Sequence, residues 1–184
     1  MNIFYIHENP ELAAKAMTNK HVIKMVLESA QLLCTAHRVL DGTQVIVKSK
    51  SGSNLKKWKH PNEKLDSLLY KSTHVNHPSA IWIRESCENY MWLYKHFIAL
   101  GQEYKRRYNK THKSIEELSF ALASAPANIK CVGQTPVHIA ISNHKWHKDT
   151  ALDSYRAYYL GEKINTPEDL KRYISIIEEH NVQC

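Results

Sequence analysis

Residues 20–38 read KHVIKMVLESAQLLCTAHR, and this stretch decides the predicted fold. Apolar side chains occupy nearly every side of a helix drawn through it, which is typical of a helix buried in a protein core. The polar residues recur three or four positions apart, so they form one stripe along that helix. The members of this stripe are His21, Lys24, Glu28, Gln31, Thr35 and Arg38.

Glu28 is the only acidic residue in the polar stripe. An ionisable group on a buried helix must face a partner, a cleft or a ligand, because an unpaired buried charge is costly. Two interpretations follow. Either Glu28 is the centre of a functional site, or it pairs with Lys24 one helical turn earlier. The stretch by itself leaves both open.

The composition indicates one basic domain without a membrane span. The chain has 184 residues, of which 43% are hydrophobic, and this size favours a single domain over residues 1–184. No apolar run reaches the roughly 18 residues of a membrane helix, and the first residues do not resemble a signal peptide. The net charge of +7 favours a polyanionic partner, most simply nucleic acid.

The cysteine usage predicts reduced thiols in a cytoplasmic protein. Four cysteines are scattered widely along the chain, at positions 34, 87, 131 and 184. This spacing fits neither the disulfide framework of a small secreted domain nor a cysteine-rich zinc site.

Capping and periodicity signals predict a mainly α fold with one compact helical domain. A long loop is expected over residues 124–148, and irregular segments of that length are often functional. Helices are predicted from Asn9-Pro10 to Met17, through the central stretch to about Leu40, over 61–71, from Ser79 to about Tyr108, from Ser114 to about Ala123, over 151–160 and from Thr166 onward.

The composition changes after the central helix, and residues 43–60 predict a small basic hairpin or loop. Lysines around a tryptophan suit a nucleic acid, because the cations attract phosphates and the flat ring can stack on a base. A solvated basic loop is the alternative. The candidate contacts in this segment are Lys56, Lys57, Trp58 and Lys59.

Histidine pairs and an arginine supply further candidates. The His-x-x-His pairs at 74/77 and 144/147 lie in predicted loops without a cysteine or carboxylate at ligand spacing, so no metal site is predicted. No sequence motif points to a cofactor either. His77 and Arg84 are candidates for contacts with a nucleic acid, and a solvated helix face is the alternative for Arg84.

A lone carboxylate among cations and histidines is useful where positive charge develops in a transition state. Cleavage of an N-glycosidic bond is such a reaction, because the sugar passes through an oxocarbenium-like state that an anion stabilises. Base excision from a nucleic acid is therefore chemically coherent with the sequence, although the residues alone do not single it out.

Three motifs resemble the pyrimidine dimer DNA glycosylases of the phage endonuclease V type. Six residues separate His21 from Glu28 on a helix near the N-terminus, residues 102–108 read QEYKRRY, and residues 155–159 read YRAYY. The chain is more closely similar to a group of uncharacterised phage proteins that carry the same family label, through stretches such as AHRV at 36–39 and THVNHP at 73–78.

The resemblance implies an all-α repair enzyme that flips a nucleotide out of double-stranded DNA in the cytoplasm of the host cell. In that family the N-terminal amine attacks the sugar C1′ and forms a Schiff base, while a helix glutamate stabilises the sugar cation and assists strand cleavage. Carried over, Glu28 takes the glutamate role and His21 that of the neighbouring histidine. Leu27 and Gln31 stand where the family has cationic DNA contacts.

The N-terminus departs from the family pattern. The family amine is exposed by removal of the initiator methionine before a small residue, but residue 2 here is asparagine. The amine then belongs to Met1, or no amine nucleophile exists. Met1 and Asn2 are the candidates for the nucleophile. Without one, the enzyme would use water and lack strand-cleaving activity.

The expected function is that of a DNA N-glycosylase in which Glu28 is essential, with abasic-site lyase activity as a further possibility. His21, Lys24 and Arg38 are expected to tune Glu28 or to hold phosphate. Two alternatives stay open: an N-glycosidase or glycosyl-transferring enzyme that acts on free nucleotides, and a non-catalytic phage protein that binds nucleic acid or protein. The sequence predicts no oligomeric state.

Overall fold

The central helix α2 (Asn19–Asp41) organises the computed structural model, which describes residues 1–179. The mainly α class predicted from the sequence is confirmed, and none of the described helices is long and apolar enough to cross a membrane. The other elements are α1 (Pro10–Ala16), β1 (Thr43–Lys48), β2 (Asn54–Lys59), α3 (Glu63–Leu68), α4 (Pro78–Glu85), α5 (Cys87–Tyr108), α6 (Lys113–Leu118), α7 (Ala151–Glu162) and α8 (Pro167–Glu179).

Helix α2 begins and ends where its sequence signals place it. The Thr18 hydroxyl accepts a hydrogen bond from the His21 amide, and the Gly42 amide donates to the Arg38 carbonyl after the last turn. The helix packs against α4 and α5, and one side stays open to solvent, contrary to the expectation of burial on all sides. On that side Ile23 and Leu27 are 45% and 40% exposed.

The first residues of the chain are part of the core. Ile3 and Ile6 are fully buried. The Asn2 side chain fixes the path of this segment, because its Oδ1 accepts from the Phe4 amide at 2.8 Å and its Nδ2 donates to the Ala140 carbonyl at 3.0 Å. Phe4 has a positive φ of 45°, which is uncommon for a residue with a side chain.

The long helix predicted from Ser79 is two helices that meet at Ser86. Ser86 is extended, with a φ of −149°, and its hydroxyl caps α5 by accepting from the Asn89 amide. The Asn89 side chain in turn donates to the Trp82 carbonyl at 2.8 Å near the end of α4. These local bonds compete with a continuous helix. His77, and not Ser79, is the N-cap of α4, and α6 ends at Leu118, earlier than predicted.

The prediction of reduced thiols is wrong for two of the cysteines. Cys87 and Cys131 form a disulfide with their Cα atoms 5.0 Å apart. The long loop returns to the start of α5, where the Cys87 amide donates to the Lys130 carbonyl at 2.8 Å, and a separation of 44 residues gives no sign of this contact. Cys34 is free and buried, and Cys184 lies outside the described residues.

Arg38 has a structural role in the fold, which differs from its predicted role in holding phosphate. The guanidinium is buried at the junction of α2, β2 and α3, where it pairs with Asp66 at 2.6 Å. It also donates to the carbonyl oxygens of Trp58, Asp66, Leu69 and Tyr70. Because a guanidinium has five N–H donors, these bonds leave none for a ligand.

Replacing Arg38 with glutamine should therefore lower the free energy of unfolding by about 3 kcal/mol or more, as expected when one partner of a buried ion pair is removed. Urea denaturation measures the loss. Arg106→Gln is the matched control, because Arg106 also pairs with a carboxylate but is 63% exposed, and its loss should stay below about 1 kcal/mol. Equal losses in the two variants would contradict the structural role of Arg38.

Candidate active site at the start of the chain

The backbone at the start of the chain lies against Glu28. The Asn2 amide donates to Glu28 Oε2 at 3.1 Å, and the amine nitrogen of Met1 lies 4.0 Å from the same oxygen. The Glu28 side chain is 12% exposed and the Met1 side chain 3% exposed. The fold thus brings together the amine of Met1 and a largely buried carboxylate that lies 27 residues further along the chain.

Lys24 contacts the other oxygen of the carboxylate. Its Nζ lies 3.2 Å from Glu28 Oε1, one helical turn away, so the simple pairing considered from the sequence is also present. The Lys24 side chain is 62% exposed, and an exposed pair of this kind contributes little to stability. Lys24 thus contacts Oε1, while Oε2 faces the start of the chain.

His21 lies beside the N-terminal segment and is held in a fixed orientation. Its ring stacks on Phe4 with centroids 4.6 Å apart, and its Nδ1 lies 2.8 Å from the Tyr159 hydroxyl. That hydroxyl accepts from the Thr18 amide, so its own proton is free to go to His21 Nδ1. Burial, with the nearby Lys163 and Lys24, lowers the pKa of His21 to about 4. The imidazole is therefore neutral at pH 7.

His77 approaches the site from the start of α4. Its Nδ1 accepts from the Ser79 amide at 3.2 Å, which caps the helix. Burial and then the positive charge of the N-terminal amine lower the pKa of His77, and the negative charge of Glu28 opposes them. The charges of the amine and of Glu28 therefore both affect the pKa of His77. No hydrogen bond joins the imidazole to either group among the described residues.

Arg84 holds the loop that carries His77. One terminal nitrogen donates to the Val75 carbonyl at 2.6 Å, while Nη1 is buried without a hydrogen-bond partner in the described part of the chain. Burial lowers the pKa of Arg84. The side chain is half-buried, and its bond to Val75 helps to fix this loop, which also joins α2 through the Thr73 amide and the Thr35 hydroxyl at 3.1 Å.

The basic hairpin predicted over residues 43–60 is present. Strands β1 and β2 pair antiparallel, with Thr43 opposite Lys59 and Lys48 opposite Asn54. Lys56, Lys57 and Lys59 are exposed, whereas Trp58 is half-buried. The hairpin borders a cavity of about 400 Å³ that Arg38, Lys71 and Ser72 also line.

The hairpin and Glu28 lie at different points along α2. Arg38, which binds the Trp58 carbonyl, follows Glu28 by ten residues, or roughly 15 Å at the helical rise of about 1.5 Å per residue. Apart from Arg38 and Arg84, the predicted site residues therefore form two groups. The first contains Met1, Asn2, His21, Lys24, Glu28 and His77, and the second contains Lys56, Lys57, Trp58 and Lys59.

Sequence reasoning did not reveal the contacts that fix the first group. Phe4 and Tyr159 orient His21, and Asn2 anchors the start of the chain through its own side chain as well as its backbone. Tyr159 is 138 residues from His21 in the sequence. No periodicity or spacing links such distant positions, so only the fold could reveal them.

Comparison with known proteins gives one family match. A family model described as "Pyrimidine dimer DNA glycosylase" matches residues 1–116. This range contains every residue of the two groups above. No curated protein and no solved structure gives a match to the chain.

The neutral state of His21 predicts a pH dependence. Its folded pKa of about 4 lies below the ordinary value of 6.5, so the unfolded chain binds more protons between these values. The stability contributed by the neutral ring is present above pH 6.5 and is lost as the pH falls toward 4. The His21 ring resonances, assigned by their loss in His21→Gln, should not titrate by NMR between pH 8 and 5. A midpoint near 6.5 would contradict this.

Proposed function

Because the chain belongs to the pyrimidine dimer DNA glycosylase family, we propose that it cleaves an N-glycosidic bond in DNA with its N-terminal amine as nucleophile and Glu28 as the assisting carboxylate. The observation that carries this proposal is the position of Glu28 Oε2, which is 4.0 Å from the Met1 amine and 3.1 Å from the Asn2 nitrogen. Retention or removal of Met1 leaves an amine beside the carboxylate in either case.

The proposed reaction balances with these two groups. The amine attacks C1′ of the sugar, and the bond from C1′ to the base breaks with its electron pair leaving on the base. Glu28 stabilises the positive charge on the sugar and accepts the proton that the amine loses. Opening of the sugar ring at O4′, which takes a proton from Glu28, then leaves an iminium between C1′ and the protein. This iminium is the intermediate that permits strand cleavage or release by water.

The histidines have supporting roles in this proposal. His21 is a positioning residue, because its ring packs on Phe4 and its Nδ1 lies within hydrogen-bond distance of Tyr159. His77 is near enough to the amine and Glu28 to be affected by their charges, so it is suited to contact the phosphate or the base of a bound nucleotide.

The burial of Glu28 favours a flipped nucleotide as the substrate. A carboxylate that is 12% exposed cannot reach a sugar inside a stacked duplex, whereas an extruded nucleotide can enter the site. Ile23 and Leu27 supply exposed apolar surface on α2 beside Glu28, and apolar side chains of this kind can occupy the gap left in a base stack.

The lysine hairpin is proposed to bind the DNA backbone several nucleotides away from the nucleotide that reacts. Arg38, which binds the Trp58 carbonyl of the hairpin, lies roughly 15 Å along α2 from Glu28, which corresponds to about four nucleotide steps at about 3.4 Å per step along one strand. A duplex can therefore contact both groups at once. Lys56, Lys57 and Lys59 would pair with phosphates and Trp58 would pack beside a sugar or base.

Borohydride trapping tests the proposed nucleophile. The intact mass first identifies whether Met1 or Asn2 begins the purified protein. The protein is then incubated with duplex DNA that contains a pyrimidine dimer or an abasic site, reduced, and the adduct is mapped by mass spectrometry. The adduct should lie on the first amine, and Glu28→Gln should slow its formation by about 10²-fold or more, as for loss of a group that stabilises transition-state charge.

Lys24→Gln is the matched control for the trapping experiment. It removes the exposed cation beside Glu28 Oε1 and keeps the terminal amine and the carboxylate themselves, so adduct formation should change only a few-fold. An adduct on a lysine side chain would overturn the assignment of the nucleophile. If neither the natural protein nor the two variants formed any adduct, the proposed reaction would be overturned.

The hairpin lysines predict salt-dependent binding. Replacing Lys56 and Lys57 with glutamine should weaken binding to a duplex and reduce the slope of log K against log salt by about 0.9 for each phosphate that the variant no longer neutralises. Lys15 and Lys95 are exposed lysines on α1 and α5, and the same double replacement there should leave the slope unchanged. Fluorescence anisotropy over a range of salt concentrations measures both. Equal slopes in the two double variants would contradict the role of the hairpin.

A further inference from the structure

Three side chains of the types that bind metal ions meet near the C-terminal end of α2, away from Glu28. His37 and Asp41 are four residues apart and so share one face of the helix, and His60 follows β2. One ligand atom from each of these residues lies within 4.8 Å of the other two. Neither His-x-x-His pair belongs to this cluster.

Both imidazoles are buried and each has an unsatisfied nitrogen. His37 is 4% exposed and His60 is 5% exposed. His37 Nδ1 and His60 Nε2 have no hydrogen-bond partner among the described residues, and His60 Nε2 lies 3.9 Å from Asp41 Oδ2. Buried polar atoms are nearly always paired, so two unpaired nitrogens in a cluster with one carboxylate indicate a missing ligand.

The tautomer of His37 is set by its neighbour. The Tyr90 hydroxyl donates to the Leu122 carbonyl at 2.9 Å, so the His37 Nε2 that lies 2.9 Å from this hydroxyl must donate to it. The ring proton is therefore on Nε2, and Nδ1 presents a lone pair. An outer hydrogen bond of this kind is typical of a metal-binding histidine.

The carboxylate of Asp41 is also held in place. Its two oxygens accept hydrogen bonds from the Ala127 and Asn128 amides, each at 2.9 Å. The cluster borders a cavity of about 580 Å³ that residues of the 120–127 loop also line. This cavity leaves room for a water molecule as a further ligand.

We propose that His37, Asp41 and His60 bind a divalent transition-metal ion, with Zn²⁺ as the best match. Two imidazoles and one carboxylate form a ligand set that zinc uses, with water in the fourth position. Binding through His60 Nε2 moves the ring proton to Nδ1. The hydrogen bond from the Asn62 amide to Nδ1, at 3.1 Å, must then open, so residues 60–62 shift when the metal binds.

The metal site is separate from the proposed reaction. His37 follows Glu28 by nine residues, or roughly 14 Å along the helix, so the ion cannot touch the reacting atoms. It would instead join the end of α2, the exit of β2 and the 124–128 segment. Its function would be to fix the base of the lysine hairpin and the start of the long loop.

A cobalt titration tests this site directly. The protein is treated with a chelator, dialysed, and titrated with Co²⁺ as a coloured substitute for Zn²⁺. One equivalent of Co²⁺ should give a visible absorption spectrum that Zn²⁺ abolishes, and Zn²⁺ should raise the melting temperature. His60→Gln should lose both responses. His144→Gln removes an exposed loop histidine and should keep them.

A second measurement guards against a variant that does not fold. In the natural protein, ¹⁵N NMR should show the resonance of His37 Nδ1 change on addition of Zn²⁺ while Nε2 keeps its proton. Circular dichroism checks the fold of each variant. The proposal would be overturned if the protein bound no equivalent of Co²⁺, or if a folded His60→Gln variant still bound it. Water would then be the occupant of the gap between the three side chains. Borohydride trapping of the chelator-treated protein should still succeed, so failure of one proposal does not affect the other.

Discussion

The contact between the start of the chain and Glu28 is the interaction on which the candidate active site depends. A terminal amine is ordinarily mobile and solvated, but here the following residues are part of the core. Ile3 and Ile6 are fully buried, and the Asn2 side chain is bonded to the Phe4 amide and the Ala140 carbonyl. The conformational entropy of the terminus is thus lost during folding and not during the reaction, which favours attack on a bound substrate.

Helix α2 is the common support of both proposed sites. Its first half carries His21, Lys24 and Glu28, and its second half carries His37, Arg38 and Asp41. The buried face holds the helix rigid against α4 and α5, while Arg38 fixes the position of β2 and α3. A helix with this degree of burial sets the distance between its two ends, so the lysine hairpin keeps its spacing from Glu28.

Features encoded within a few residues of each other were predictable from the sequence. The end of the central helix near Leu40, the basic hairpin and the helix over 151–160 all depend on local hydrogen bonds or turn preferences. The prominence of Glu28 also followed from its isolation in an apolar helix. Features that depend on distant segments were not predictable, as the disulfide between Cys87 and Cys131 shows. The structural role of Arg38 was not predictable, because a guanidinium that binds carbonyls and one that binds phosphates look the same in a sequence.

The role of the terminal amine can be tested with a single protein before and after a protease removes an N-terminal extension. A chain that carries extra residues ahead of Met1, removable by a protease that restores the natural terminus, moves the amine by up to about 3.5 Å for each added residue. We expect the extended protein to bind damaged duplex DNA but neither to excise the base nor to form a Schiff base, and we expect cleavage to restore both. Equal activity before and after cleavage would contradict the central role of the amine beside Glu28.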